Sequence, residues 1–350
     1  MKKRNGVLWL VVILALGLLV FLFRDKIQFD WPMFWRQLRY VSVGHIVAGI
    51  ALIYLTYWMR AVRWRVFLSP TKKVSSVDLL GSQFIGFTAV ALFGRLADLT
   101  RPYLVARRVN LSVSSQIAVY TIERMFDLGA AAVVFSSALA FTPKSAPHHE
   151  VFVRAGLLSM AATLAIAAFA GAVRMAGEAV ASFARKVVGV LSKSAGESIA
   201  NKVIEFRDGL NVLASLREFA VVVLLSVGMW TIIGFAYLQT VQAFVSTPEL
   251  STLSFSRTML LMAASIGGSL LQLPVIGWFT QIAVTATAMH AFYGAPIEAA
   301  TACGAVLLFI TFLSIIPAGL IYSQIEDVSL KKVTEESEAA GTATEAADVR

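Results

Sequence analysis

Residues that carry common enzyme chemistry are scarce in this chain of 350 residues. Cys303 is its single cysteine, which excludes a disulfide framework and a cluster of thiolate metal ligands. The four histidines form no HExxH or similar pair and no P-loop is present, so we expect no metal and no cofactor. The visible motifs do not assemble a Ser/His/Asp trio either. We therefore do not expect an enzyme.

Charge is also scarce, and this identifies the class of protein. Only 15% of the residues are charged, whereas 58% are hydrophobic and the mean hydropathy is +0.75. Such a composition is typical of an integral membrane protein. No polar stretch is long enough for a separate soluble domain, so we expect one all-α polytopic membrane domain over residues 1–325. The Glu-, Ala- and Thr-rich residues 326–350 predict a disordered acidic tail.

The charge that is present is mainly basic. Residues 326–350 hold seven of the 21 acids and three of the 30 bases, which leaves 14 acids and 27 bases, a balance of +13, in residues 1–325. This excess suits anionic lipid headgroups, and the positive-inside rule produces the same excess in bacterial membrane proteins. Because the bases are dispersed among hydrophobic segments, we do not expect nucleic-acid binding.

Hydrophobic runs predict six full membrane spans and two broken segments. Residues 1–23 have three bases before an apolar run but no small-residue cleavage site, which indicates an uncleaved first span. The other full spans are expected at 43–67, 115–141, 152–173, 219–245 and 298–322. Shorter runs, which favour re-entrant helices buried among other helices, lie at 79–93 and at the pair 257–273 and 279–293.

Basic residues orient this arrangement. The N-terminus has three bases, residues 60–114 have nine and residues 174–217 have seven, while the loop at 142–151 has one. The positive-inside rule then puts both termini, and amphipathic helices over 174–218, on the cytoplasmic side of a bacterial inner membrane. The linker at 24–42 conflicts, because it would lie outside with four bases and two acids. Broken segments in both halves, entering from opposite faces, indicate an inverted repeat with a binding site at its interface.

Most of the charge that could matter to function falls between residues 93 and 128. Pro102 disfavours helical geometry at the preceding residue, so we expect a break near Thr100 and then a short helix to about Val109. Ionisable residues at membrane depth are costly and therefore indicate a site. The candidate residues are Arg95, Asp98, Arg101, Arg107, Arg108, Glu123, Arg124 and Asp127.

Two interpretations of these charges stay open. Glu123 and Asp127 are four residues apart on one predicted helix and share a face, and Arg124 can neighbour Asp127. The first interpretation is a structural network of salt bridges that lets two helices cross, in which Asp98 pairs with Arg95 or Arg101. The second is a polar cavity in which spare arginines bind a phosphate, because the guanidinium fork is always charged and binds phosphate oxygens bidentately.

Four motifs, taken in order, resemble those of a known family. They are YWMRAVRWRVFL, GRLADLTRPYLVARR, IERMFDL and LPVIGWFTQ. Over residues 7–322 the chain resembles the lysylphosphatidylglycerol synthase transmembrane family, the flippase-like membrane region of the bacterial multiple peptide resistance factor. The resemblance implies re-entrant helices and, in the best-known members, transfer of aminoacylated lipid between leaflets. Other members are associated with hopanoid or polyprenyl-linked lipids. It singles out the same eight charged residues.

One departure from the family pattern bears on the substrate. The second break of the family usually reads Gly-x-Gly-x-x-Glu, whereas here Pro274 and Gly277 precede Gln281 at the acidic position. A neutral amide attracts a cationic headgroup only weakly, so we do not expect a lysyl-lipid substrate. The soluble aminoacyltransferase domain of the family has no counterpart here, so synthesis of such a lipid is not expected.

The residues and the resemblance together predict lipid transport. We expect the chain to bind a phosphate-bearing lipid, either an anionic phospholipid or a polyprenyl-phosphate type, and to move it between leaflets. Two alternatives stay open. One is an intramembrane lipid transferase with Glu123 or Asp127 as general base, and the other is a scaffold that recruits a lipid-modifying enzyme. Homo-oligomerisation also stays open.

Overall fold

The computed structural model of the chain describes residues 29–142, 144, 149–190, 192–210, 215–269 and 276–348. Within these ranges every regular element is a helix, as the all-α prediction requires. The predicted first span at 1–23 lies outside the described residues. Helix α1 (Trp31–Arg39) begins where the Asp30 side chain accepts a hydrogen bond from the Met33 amide at 2.9 Å. Its exposed tryptophans suit a membrane–water interface.

A break interrupts the helices of the first half. In chain order these are α2 (Val43–Leu68), α3 (Ser76–Phe93), a 3₁₀ turn (Arg95–Leu99), α4 (Thr100–Val109) and α5 (Val113–Ala140). Gly94 ends α3 with a φ of +78°, a conformation that glycine adopts without strain. The break predicted near Thr100 therefore starts at Gly94. Pro102 lies in the first turn of α4, where its missing N–H is tolerated.

The middle of the chain forms a long helical hairpin followed by a span. The helices are α6 (His149–Gly189), α7 (Lys193–Leu210) and α8 (Leu216–Gln242). The sequence separates a span at 152–173 from amphipathic helices at 174–218, but α6 continues through that boundary with one local departure from helical geometry at Ala176 (φ −137°, ψ 39°). Helix α7 packs back against α6, and an exposed ion pair joins Arg185 to Glu197 at 2.9 Å.

The second half again contains two short helices, and residues 270–275 between them lie outside the described part of the chain. Its elements are α9 (Pro248–Ser251), α10 (Phe255–Ser269), α11 (Ile276–Tyr293), α12 (Ile297–Leu308), a π-helical turn (Phe309–Leu313) and α13 (Ile316–Ile325). Helices α10 and α11 match the two predicted short segments. In the π turn the Ser314 amide donates to the Phe309 carbonyl at 2.7 Å, just before Pro317, which has no N–H to donate. The inverted repeat stays a prediction.

The hydrophobic helices make the chain a multi-pass membrane protein. Within the described residues, the segments long and apolar enough to cross a membrane are Val43–Leu68, Ser76–Phe93, Leu216–Gln242 and Ile297–Ile325. The second of these is predicted to be re-entrant. In its most apolar stretch of 18 residues, 61% of the residues are buried, the largest share among the four segments. A helix enclosed by other helices has this character. The count of six full spans and the side on which each loop lies stay predictions.

The C-terminal segment corrects the prediction of a disordered tail. The structure has a helix there, α14 (Leu330–Asp348). Val333 is only 3% exposed, and the Tyr103 hydroxyl donates a hydrogen bond to the Glu336 carboxylate at 2.8 Å. Composition alone would not order this segment, because a short polar helix is marginal by itself. Packing against α4 and the 3₁₀ turn supplies the missing contacts.

Candidate functional site

The second half of α2 carries the most deeply buried charge among the described residues. Arg60 and Arg63 lie three residues apart on one face of α2, and the Arg63 side chain is fully enclosed, with 0% exposed. From the sequence, both arginines are interpreted as part of the positive charge on the cytoplasmic side, and neither is predicted to be a site residue. Arg65 is exposed and fits that interpretation. The structure instead places Arg60 and Arg63 inside the helix bundle.

Helix α5 supplies two carboxylates to these arginines. As their four-residue spacing predicts, Glu123 and Asp127 lie on one face of α5, and both are buried (1% and 4% exposed). Arg63 Nη2 donates to Glu123 Oε1 at 2.5 Å, and Arg63 Nη1 donates to Asp127 Oδ1 at 2.7 Å. One guanidinium therefore bridges both acids. Arg60 is a looser partner of Asp127, at 3.4 Å.

Arg101 reaches the same carboxylate from α4. Its Nη2 donates to Glu123 Oε2 at 2.6 Å, so each oxygen of Glu123 has its own arginine. The rings of Trp64, Phe87 and Tyr120 surround the guanidinium carbon, with centroids at 4.9, 4.8 and 5.3 Å. Such cation–π contacts stabilise a cation that has been removed from water.

Close packing of α3 against α4 positions Arg101. A Cβ at Gly86 would lie 2.7 Å from the Arg101 Cβ and 3.0 Å from its Cα, so a larger residue would push α4 away. On the same helix, Gln83 Oε1 accepts a hydrogen bond from Arg101 Nη1 at 3.2 Å. The sequence places Arg101 close to the break but does not indicate this contact between helices.

Arg124 and Asp98 form the accessible edge of the arrangement. The Arg124 side chain is 38% exposed, its Nη2 lies 3.4 Å from Asp98 Oδ1 and its Nη1 lies 4.0 Å from Asp127 Oδ2. Its guanidinium carbon is 4.8 Å from the ring centroid of Tyr120. The predicted proximity of Arg124 to Asp127 is therefore present but loose, and the main partner of Asp127 is Arg63.

Two predicted residues lie apart from this group. Arg107 and Arg108 are on the last turn of α4 and pair with Glu336 and Glu326 at 3.5 and 3.0 Å. Burial raises the pKa of the Glu326 carboxyl, an effect that the Arg108 guanidinium partly offsets. The side chain of Arg95 lies outside the described part of the chain. The charged cluster, as we use the term below, consists of Arg60, Arg63, Asp98, Arg101, Glu123, Arg124 and Asp127.

The charged cluster can accept further anionic oxygen atoms. Four arginines against three carboxylates leave one positive charge. Within the described structure two N–H donors here are buried without a hydrogen-bond partner: Arg63 Nε, and Nε2 of Gln83, whose Oε1 bonds Arg101. Buried N–H donors normally have an acceptor, so these atoms call for one. Among the described residues, no three His, Cys, Asp or Glu side chains are grouped to hold a metal ion.

Neutral polar groups lie on the two short helices of the second half. Gln281 is 9% exposed, and its Nε2 donates to Ser265 Oγ at 2.9 Å. The Tyr237 hydroxyl donates to the same oxygen at 3.0 Å. Gly277 is buried nearby in α11, and Pro274 lies outside the described residues. Gln281 therefore joins a hydrogen-bonded chain that links α8, α10 and α11.

Comparison with known proteins gives one match. A family model described as the lysylphosphatidylglycerol synthase TM region matches residues 8–319, which include the whole charged cluster and both breaks. No curated protein matches the chain. The match covers most of the 350 residues and confirms the resemblance seen in the motifs. The chain therefore belongs to the lysylphosphatidylglycerol synthase transmembrane-region family.

Proposed function

We propose that this protein moves a phosphate-bearing lipid between the leaflets of a bacterial inner membrane. Membership of the family indicates a function related to membrane lipids. The observation that carries the proposal is the charged cluster, which is built on membrane helices, has an excess of arginine and has one accessible edge. Ionisable groups at membrane depth typically mark substrate pathways.

The cluster divides into a fixed part and an available part. Arg63 and Arg101 bind both oxygens of Glu123 at 2.5–2.6 Å, and Arg63 also bonds Asp127. We assign these short, enclosed contacts to holding α2, α4 and α5 together. Arg60 and Arg124 make only contacts of 3.4 Å or more with carboxylates. They are therefore the arginines free to bind a phosphate.

Charge balance supports an anionic headgroup. The cluster has one positive charge in excess, and a phosphodiester carries one negative charge, so binding it would leave no unpaired charge at depth. A lysyl headgroup would add positive charge to a site that already has an excess. At the second break Gln281 offers such a headgroup only a neutral amide. We therefore propose an anionic phospholipid or a polyprenyl-phosphate type of lipid as the substrate.

The two alternatives find less support. A transferase with Glu123 as general base needs a carboxylate oxygen free to take a proton, but arginines occupy both of its oxygens. Asp127 is likewise bound by Arg63. A scaffold would offer its C-terminal segment to a partner, whereas α14 packs on its own chain through Tyr103 and Glu336.

Lipid transfer in vesicles tests the proposal. The full-length protein would be reconstituted in phosphatidylcholine vesicles with fluorescent phosphatidylglycerol, and the label exposed on the outer leaflet would be quenched chemically. We expect exchange between leaflets by the parent and its loss in Arg124→Met combined with Asp98→Leu. The control replaces the exposed pair as Arg185→Met with Glu197→Leu.

The outcomes separate the classes of function. If the Arg124/Asp98 variant is folded and moves lipid at the parent rate, the accessible edge of the cluster does not carry transport. If the parent moves no lipid but changes the mass of labelled lipid, the transferase replaces our proposal. Circular dichroism and monodisperse elution in detergent establish folding before each transport assay.

A further inference from the structure

The C-terminal helix α14 lies against the 3₁₀ turn that carries Asp98. At the start of α14, Leu330 packs against a small apolar cluster that includes the fully buried Ala97. Further along, the hydroxyl oxygens of Ser337 and Thr100 are 3.3 Å apart, and the two residues are enclosed, with 1% and 0% exposed. Helix α14 therefore contacts the chain on both sides of Asp98, which forms part of the accessible edge of the charged cluster.

Contacts near the surface hold α14 on α4. The Tyr103 hydroxyl donates to the Glu336 carboxylate at 2.8 Å, and Arg107 Nη1 lies 3.5 Å from the same group. The side chains of Arg107 and Glu336 are 61% and 34% exposed, and ion pairs this accessible stabilise little because water competes for both partners. Val333 adds apolar contact by joining the buried cluster of Leu104. A segment held by exposed polar contacts and little buried apolar surface opens locally at a low cost in free energy.

A hinge precedes the 3₁₀ turn. Gly94 ends α3 with a φ of +78°, and its amide donates to the Val90 carbonyl at 2.8 Å. The next five residues, Arg95–Leu99, form the 3₁₀ turn, whose hydrogen bonds have poorer geometry than those of an α-helix. Asp98 lies on this turn, whereas Arg124, 3.4 Å away, lies on the long helix α5. Because hinges are formed by a few residues at the ends of elements, a shift of the turn at Gly94 would separate Asp98 from Arg124 and leave α5 in place.

We propose that α14 is an autoinhibitory latch, which holds Asp98 beside Arg124 while it is docked and must leave the 3₁₀ turn before Arg124 binds a phosphate. The proposal rests on the proposed function, because it regulates the same accessible edge. A carboxylate 3.4 Å from the guanidinium competes with a phosphate for it, so the docked state lowers lipid transfer. The family match ends at residue 319, and α14 lies outside it. The latch therefore adds a control to the membrane domain of the family.

A reversible cross-link tests the latch. Thr100→Cys combined with Ser337→Cys would place two thiols where the hydroxyl groups are 3.3 Å apart, so that oxidation ties α14 to the start of α4. The full-length protein would be assayed in phosphatidylcholine vesicles with fluorescent phosphatidylglycerol, and mass spectrometry would give the cross-linked fraction. We expect the oxidised protein to transfer no lipid and the same sample to recover transfer on reduction. The two single-cysteine variants, oxidised in the same way, are the controls; Cys303 is buried and is common to all samples.

A second variant weakens the latch without changing the charged cluster. Glu336→Gln keeps an acceptor for the Tyr103 hydroxyl but removes the charge that pairs with Arg107. If transfer requires the undocked state, its rate follows the undocked fraction. We expect transfer to rise about threefold, the change that corresponds to one partly exposed ion pair. Glu249→Gln, exposed on α9, is the charge-matched control and should transfer lipid at the parent rate.

Amide hydrogen exchange distinguishes a latch from a helix that only stabilises the fold. In Glu336→Gln, the amides of α14 and of the 3₁₀ turn should lose protection together, while those of α5 keep theirs. Equal transfer by the oxidised and reduced cysteine pair, or slower transfer in Glu336→Gln than in the parent, would overturn the latch. The two proposals fail in different ways. A parent that transfers no lipid removes the proposed function and the latch with it, whereas transfer that the cross-link does not change removes only the latch.

Discussion

Replacing Arg63 or Arg124 by methionine should separate stability from lipid transfer. Arg63 is fully enclosed and donates to Glu123, Asp127 and Ser226 at 2.5–2.7 Å. Without Arg63, the buried carboxylates of Glu123 and Asp127 would each lose a positively charged partner. Deleting one partner of a buried pair costs about 3–5 kcal/mol. We therefore expect Arg63→Met to lower the free energy of unfolding by this amount, which raises the unfolding equilibrium constant by about two to four orders of magnitude.

Arg124→Met should have the opposite profile. The Arg124 side chain is 38% exposed, and the nearest carboxylate oxygens are 3.4 and 4.0 Å away. Such loose, accessible pairs contribute about 0–1 kcal/mol. We expect this variant to unfold like the parent but to transfer no phosphatidylglycerol between leaflets. Arg124→Lys should recover only part of the transfer, because lysine keeps the charge but has no guanidinium fork.

Denaturant unfolding in detergent micelles and lipid transfer in vesicles would be measured on the same preparations. Arg185→Met is the control, since its pair with Glu197 is short at 2.9 Å but exposed by 48% and 57%. It should change stability by less than about 1 kcal/mol and leave transfer unchanged. The division of the charged cluster is refuted if Arg124→Met is destabilised as much as Arg63→Met, or if it transfers lipid as the parent does.

Three further predictions concern packing, pH and topology. Gly86→Ala should lower the free energy of unfolding by about 1–3 kcal/mol, measured by denaturant unfolding, because the new methyl group meets Arg101. Burial raises the folded pKa of Glu326, so this carboxyl adds stability below its unfolded pKa and loses it as pH rises through the folded value. Glu326→Gln should therefore flatten the fall in melting temperature as the pH rises above about 4, near the pKa of a free Glu, whereas equal slopes would contradict the pKa shift. Cysteines placed at Lys144 and Lys193 should react with an impermeant reagent from opposite sides of the membrane; labelling from one side contradicts the predicted topology.

Helical spacing explains which site residues could be predicted. Glu123 and Asp127 were found because a four-residue spacing fixes a common face on any helix. Arg63 was missed because an arginine at the end of an apolar run has the same sequence signature at an interface as in a buried pair. Only the contact with the carboxylates of α5 distinguishes a buried arginine from an interfacial one. The i,i+3 spacing of Arg60 and Arg63 was the available signal.

Tertiary contacts also explain the two regions where the structure differs from the sequence-based prediction. Arg107 and Arg108 were grouped with the other arginines by proximity in sequence, but α4 turns them toward Glu336 and Glu326. The same acids belong to the segment predicted to be disordered. It has few large apolar residues, and no local pattern encodes the basic surface of α4 on which it docks. Both differences therefore have one cause, an unpredicted contact between distant segments.

If the protein moves lipid as proposed, the loose pair of Arg124 with Asp98 helps the lipid to be released. An arginine that bound phosphate with no alternative partner would be left unpaired at membrane depth whenever the lipid departed. Asp98 lies 3.4 Å from Arg124 and is itself 32% exposed, so it can take back the guanidinium as the phosphate leaves. Glu123 cannot serve in this way, because Arg63 and Arg101 hold both of its oxygens. Partner exchange at the accessible edge, with the enclosed pairs unchanged, therefore allows binding and release without breaking the contacts that hold α2, α4 and α5 together.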